Sequence, residues 1–234
     1  MKVGERFGIS VLDEQLSIGS EMILRLGADL LKRNYGVTHL LSCNGSKPKL
    51  LEFVTKVLDI DDEEDQDILQ YFDEAIDFIA SCKGRIFIYC AAGRSRSATI
   101  LAAYLMKTRK LTAEQALSTI RQVRDVQPNP GFLKQLKTWE EMLSCELCKL
   151  ERLSEWYVEQ PKFVVIACEQ CDLPMVVLRK HGMEVDEATK TTMYEALAEV
   201  ATKYYDGKPW YIDTVQRTIY THMHWHARAQ RFRL

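Results

Sequence analysis

Apolar positions along the chain change period repeatedly, and each change predicts an element. Residues 11–18 read as an opening strand closed by the Gly19-Ser20 turn signal. Residues 21–34 then set Met22, Ile23, Leu26, Leu30 and Leu31 at helical spacing. Residues 39–43 read as a strand ended by Asn44-Gly45, and residues 57–60 form a further short apolar run. After an acidic loop over residues 61–67, Ile68, Phe72, Ile76, Phe78 and Ile79 predict a helix. Residues 85–89 are a β-branched and aromatic strand, and residues 98–106 a helix. Another helix spans 112–123, with Thr112 and Gln115 at capping-box positions. A long helix follows the break at Gln127-Pro128-Asn129-Pro130-Gly131 and runs to about Leu153. Strands alternating with helices predict an α/β fold with a central sheet flanked by helices.

The pattern shifts around Pro161, after the polar segment SEWYVEQ. Beyond it, residues 162–167 and 174–178 predict two strands, residues 187–204 an amphipathic helix, and residues 210–226 two more strands. We therefore expect two domains, residues 1–153 and residues 157–234, the second a small α+β unit near the lower size limit for independent folding.

Composition narrows the classes. Apolar residues make up 47% and charged residues 27% of 234, which excludes wholesale disorder. A net charge of −2 leaves no broad basic surface for nucleic acid, so any anion site must be local. No apolar run approaches the ~20 residues of a membrane span, and MKVGERFGIS lacks the apolar core of a secretory signal. Seven cysteines, four of them in two CxxC pairs, fit a reducing compartment with thiols kept for chemistry or metal. The expected location is the cytoplasm, the nucleus remaining open.

One segment carries the sharpest chemical signal. Cys90-Ala91-Ala92-Gly93-Arg94-Ser95-Arg96-Ser97 lies between the strand RIFIY and the helix ATILAAYLM. A loop entering a helix N-terminus offers unpaired amides and the positive end of the helix dipole, a setting that stabilises a thiolate and binds phosphate. Gly93 permits the turn, and the planar fork of Arg96 suits two phosphate oxygens. Ala91, Ala92, Gly93, Arg94, Ser95 and Arg96 would form the phosphate cradle. Cys90 would attack phosphorus.

This segment resembles the C-x5-R signature of the cysteine-based protein phosphatases, and AAGRSRSA is similar to their dual-specificity branch. LSIGSEMI, GVTHLLSC, DILQYFDEAIDFI and RDVQPNPGFLKQL extend the resemblance, in the same order, over roughly residues 8–145. The resemblance implies dephosphorylation of phosphotyrosine and phosphoserine/threonine on protein substrates, through a phosphocysteine and without a cofactor. It implies a general acid in the loop before DILQYF, at Asp62 or, failing that, Asp61, and a thiolate-assisting hydroxyl at Ser97. The family usually has histidine just before the nucleophile, where this chain has Tyr89. That departure leaves open a phosphate-binding pseudophosphatase adaptor.

Three of five histidines fall in His222-Met223-His224-Trp225-His226. On a strand, alternate residues share a face, so the imidazoles would hold a metal or attack phosphorus as a row. The spacing resembles the histidine-triad family, which implies a nucleotide partner and a nucleophile at His224 supported by His222 and His226. Cys168-x2-Cys171 is half of a zinc pattern, with His181 and His222 as completing ligands. Cys145-x2-Cys148 also has zinc spacing, but it falls inside the predicted long helix and there reads as packing.

Overall fold

The computed structural model describes residues 8–48 and 52–230, so most of the MKVGERFGIS segment lies outside the described residues. The chain divides into two compact units, Met1–Glu140 and Glu141–Leu234, the division falling inside a helix rather than near residue 155.

In the first unit the predicted opening strand is two strands, β1 (Ile9–Val11) and antiparallel β2 (Leu16–Ser20). The Asp13 carboxylate reverses the chain by accepting the Gln15 and Leu16 amides at 2.9 and 2.7 Å. A short polar side chain captures backbone donors here, an effect invisible to apolar periodicity. Then follow α1 (Met22–Tyr35), β3 (Val37–Ser42) and β4 (Val54–Val57). A 3-10 turn, Leu69–Tyr71, leads into α2 (Phe72–Ser81), and β5 (Arg85–Cys90) comes next. Three helices complete the unit: α3 (Arg96–Arg109), α4 (Ala113–Arg121) and α5 (Pro130–Ser144). The capping box of Thr112 and Gln115 forms as expected, and such a cap contributes about 1 kcal/mol.

The sheet order is β1-β2-β5-β3-β4, with β2, β5, β3 and β4 parallel. Central β5 is covered on both faces, which explains its uninterrupted apolar run. Phe87 and Tyr89 pack with Ile23 and Leu31 of α1. Cys90 ends the strand at the carboxyl edge of the sheet, where parallel α/β sheets place their ligand sites.

The second unit begins with the last turn of α5. Cys145 leaves helical geometry (φ −80°, ψ 121°) and caps the short α6 (Glu146–Lys149), so the CxxC pair is not inside a long helix. Residues 141–149 contain neither Gly nor Pro, which is why the break is silent in the sequence. Next come β6 (Trp156–Glu159), β7 (Phe163–Ala167), β8 (Pro174–Leu178) and α7 (Glu187–Tyr205). β9 (Trp210–Asp213) and β10 (His224–Ala229) end the unit. The polar segment read as a boundary is thus strand β6. The five strands are antiparallel to their neighbours in the order β6-β7-β8-β10-β9. One face packs Val165, Val176, Leu178 and Trp225 against Met193 and Leu197 of α7. The other carries Val164, Ile166, Met175 and Val177 beneath Leu147, Leu150 and Trp156. Among the described residues, no helix is long and apolar enough to cross a membrane.

Candidate active site

The loop from β5 into α3 has its carbonyls tied outward, one after another. Cys90 O accepts the Glu21 amide at 2.9 Å, and Ala91 O accepts the Ser20 hydroxyl at 2.6 Å. Arg124 donates Nη2 to Ala92 O at 2.8 Å and Nε to Gly93 O at 2.6 Å. The Gln127 amide holds Arg94 O at 2.9 Å, and Thr99 holds Ser95 O through its amide and hydroxyl. With the carbonyls engaged by these donors, the loop's amides remain available to an anion in its hollow. Cys90 Sγ lies in that hollow, 1% exposed, and accepts the Gly93 amide at 3.3 Å. Ser97 Oγ is 3.3 Å from the same sulfur.

Gly93 is fixed by conformation and by space. Its φ is 68°, and a Cβ there would lie 2.3 Å from the Gly19 carbonyl group. Gly93→Ala is therefore expected to displace the loop from β2. A left-handed non-glycine residue costs on the order of 1–3 kcal/mol, and the clash adds to it. The check is a lowered melting temperature together with weaker binding of inorganic phosphate.

Asp62, rather than Asp61, reaches this loop. Its Oδ1 accepts the Ser95 hydroxyl at 2.5 Å and Asn129 Nδ2 at 3.1 Å. Its Oδ2 is 3.4 Å from Arg96 Nε, inside ion-pair range but without hydrogen-bond geometry. Arg96 is 14% exposed and anchored through Nη1 to Ile60 O at 3.1 Å. Its buried Nε is thus left with unspent donor capacity beside Asp62. Arg94 instead points outward and pairs with exposed Asp125 at 2.8 Å.

Several supporting residues escaped the sequence reading. Asn129 caps α5 by accepting the Phe132 amide while its Nδ2 orients Asp62. Gln135 accepts the Ile68 and Leu69 amides and donates to Gln66 O, pinning the end of the acidic loop. Arg124 and Ser20 turn the loop carbonyls out. Burial draws the Arg124 guanidinium below its usual value, with the charge of Cys90 opposing that effect. Tyr89 is fully buried, stacks on Phe87 at 5.5 Å and donates its hydroxyl to Ser46 O at 3.3 Å. Burial pushes its phenol up to about 12, so it is a neutral packing residue.

In the C-terminal unit the expected metal set does not assemble. His181 and His222 gather with Cys145 and Cys148, while Cys168 and Cys171 gather with His226. The reason is the break after α5, which frees the first cysteine pair to meet the histidines. Cys145 Sγ is 3.3 Å from His222 Nδ1, and Cys148 Sγ is 3.1 Å from His181 Nδ1 and 3.5 Å from His222 Nδ1. His222 Nε2 faces Leu178 O at 2.5 Å, and His181 Nε2 lies 3.7 Å from the Glu141 carboxylate. Burial next to Cys145 pushes the Cys148 thiol up to about 12. The histidine row is therefore split between two clusters. His224 lies between them with Nδ1 on the His222 carbonyl at 2.8 Å, and burial draws His226 down to about 4.

The sequence profile described as dual specificity phosphatase, catalytic domain, matches residues 26–142. Dual specificity protein phosphatase 1 of Arabidopsis thaliana is 39% identical over 140 residues, 57% of this chain and 70% of that protein. Dual specificity protein phosphatase 1 of Homo sapiens is 38% identical over 122 residues, 50% of this chain. The chain spans only 33% of that human protein's length. Among solved structures, human DUSP28 superimposes with a TM-score of 0.54 at 27% identity, covering 59% of this chain and 96% of that one. Human tyrosine phosphatase-like serine/threonine/tyrosine-interacting protein gives 0.55 at 26% identity, covering 60% and 100%. The profile match ends at residue 142, and these likenesses lend no support to a histidine-triad resemblance or a nucleotide partner for the C-terminal unit.

Proposed function

Because the chain belongs to the dual specificity phosphatase family, we propose that it dephosphorylates phosphotyrosine and phosphoserine/threonine on protein substrates through a phosphocysteine at Cys90. The observation that carries this reading is the Cys90 thiol in the hollow of a loop whose carbonyls from Cys90 to Ser95 are taken by outside donors, with the Gly93 amide on the sulfur. A phosphate monoester dianion seated there meets aligned N–H dipoles and the guanidinium of Arg96, and needs no metal for charge neutralisation.

The thiolate of Cys90 forms a bond to phosphorus as the bond to the substrate oxygen breaks. Asp62, protonated and held by Ser95 and Asn129, gives its proton to that leaving oxygen. Arg96 turns its free Nε from Asp62 toward the phosphoryl oxygens. In the second step the Asp62 carboxylate takes a proton from water, whose oxygen attacks phosphorus. The sulfur leaves, assisted by a hydrogen bond from Ser97 Oγ, and inorganic phosphate is released. Asp62→Asn is expected to lower kcat about 10²-fold on phosphotyrosine and phosphothreonine peptides. It should act much less on an activated aryl phosphate, whose leaving group needs no proton. Equal losses on both substrate types would remove Asp62 from the acid role.

For residues of the C-terminal unit we infer one structural zinc ion, held by Cys145, Cys148, His181 and His222. Zinc–sulfur and zinc–nitrogen bonds of about 2.3 and 2.0 Å give tetrahedral S–N edges of about 3.5 Å. The observed sulfur-to-Nδ1 separations of 3.1 to 3.5 Å agree with those edges. The far nitrogen of His222 faces Leu178 O at 2.5 Å, the kind of outer partner that fixes a ligating tautomer, and the Glu141 carboxylate lies 3.7 Å from that of His181. Such an ion supplies folding energy and no catalysis. With His222 committed to it, the three histidines do not act as one nucleophilic row.

A further inference from the structure

The second cysteine pair occupies the β7–β8 hairpin, away from the residues assigned to the structural zinc. Cys168 donates its amide to Leu173 O at 2.9 Å and receives the Asp172 amide on its carbonyl at 2.7 Å. Asp172 takes a left-handed φ of 56°, and its carbonyl is clamped by the Tyr204 hydroxyl of α7 at 2.8 Å. The turn thus presents two sulfurs from a fixed loop. Strand register brings the third member: His226 lies opposite Met175, itself opposite Ile166, so all three share the sheet face away from α7. That face leads directly to the mouth of the hairpin. The two Sγ atoms and an imidazole nitrogen of His226 all lie within 4.8 Å of one another.

The donor set is also incomplete. Among the described residues, no Asp or Glu joins this group, although Glu169 lies between the two cysteines. Instead Cys168, Cys171 and His226 line a cavity of about 650 Å³, with His224, Arg217 and Arg228 along the same wall. Arg217 and Arg228 are each fixed at 2.7 Å by buried Asp213, so their placement does not depend on a ligand. Three protein donors beside a roomy cavity is the pattern of an open zinc site; four donors is that of a closed one.

We propose that Cys168, Cys171 and His226 form a second metal site, which binds a zinc-type divalent ion and keeps one coordination position open to this cavity for water or a small anion. Two thiolates and a neutral imidazole bind the ion, and the thiol protons leave to solvent. The row of alternate histidines then has a division of labour: His222 closes one site, His226 builds the other, and His224 stands at the cavity between them.

The test uses the full chain, loaded with zinc and desalted, with metal counted by elemental analysis. Wild type should hold about two ions per chain, and the Cys168→Ser/Cys171→Ser and His226→Ala variants about one. His226→Cys, which restores a donor, should regain the second ion even if His226→Ala folds poorly. Cobalt-loaded wild type should show a saturable change in its visible bands on adding azide, absent in His226→Ala. One ion per chain in wild type, lost only in Cys148→Ser, would overturn the second site while leaving the structural zinc standing. Two ions whose cobalt bands ignore azide would overturn the open position.

Discussion

Cys90→Ser is expected to abolish turnover of an aryl phosphate, by at least about 10³-fold in kcat, without unfolding the protein. Serine replaces a polarisable thiolate by a weakly nucleophilic hydroxyl that stays protonated at neutral pH. The hydroxyl of Ser97 and the Gly93 amide, both 3.3 Å from Cys90 Sγ, offer hydrogen bonds and not proton abstraction. The cradle itself depends on Arg124, Ser20, Gln127 and Thr99, none of which the substitution touches. The variant should therefore still bind vanadate or a phosphopeptide and melt near the wild-type temperature. Equal rates in wild type and variant would eliminate the enzymatic reading. A wild type that binds phosphopeptide and never turns it over would make the chain a phosphate-binding adaptor.

The phosphate loop was legible because its parts are contiguous: strand, cysteine, glycine, arginine and helix follow one another in the chain. Asp62 was legible only by resemblance, since an acidic run offers no internal reason to choose one member. Geometry distinguishes it through Ser95 and Asn129, contacts made across more than thirty residues of sequence. Arg124 and Ser20 left no trace in the pattern because they act on backbone carbonyls, which every residue possesses. The same limit explains the metal residues. Alternation holds for His224 and His226 on β10, whereas His222 precedes the strand, and which cysteines meet which histidine depends on where α5 stops. Helical periodicity continued toward Leu153 while the helix ends at Ser144, and the ligand sets were exchanged as a result. Apolar period also could not separate β1 from β2, where one aspartate makes the turn.

Removal of the proposed structural zinc should have the largest effect on stability. Cys148→Ser, or exhaustive chelation, is expected to unfold the C-terminal unit at room temperature. Cys148 is the better target than Cys145 because its sulfur approaches both histidines, at 3.1 and 3.5 Å. A structural zinc ion of this kind contributes about 10–16 kcal/mol to folding. That is comparable to or above the whole stability of a small domain, about 5–15 kcal/mol. Glu141–Leu234 is such a small unit, and its sheet face of Val164, Ile166, Met175 and Val177 is covered by Leu147 and Leu150, in and next to the short α6 that carries Cys148. Losing the ion releases that cover, so the loss extends from ligands to core. Hydrogen exchange should show β7, β8 and α7 unprotected in Cys148→Ser. Turnover of an aryl phosphate should persist, because every residue of the Cys90 loop and its supports lies in Met1–Glu140. Unchanged protection with unchanged zinc content would show that the cysteine and histidine cluster is only packed side chains, and would cancel the structural role given to it.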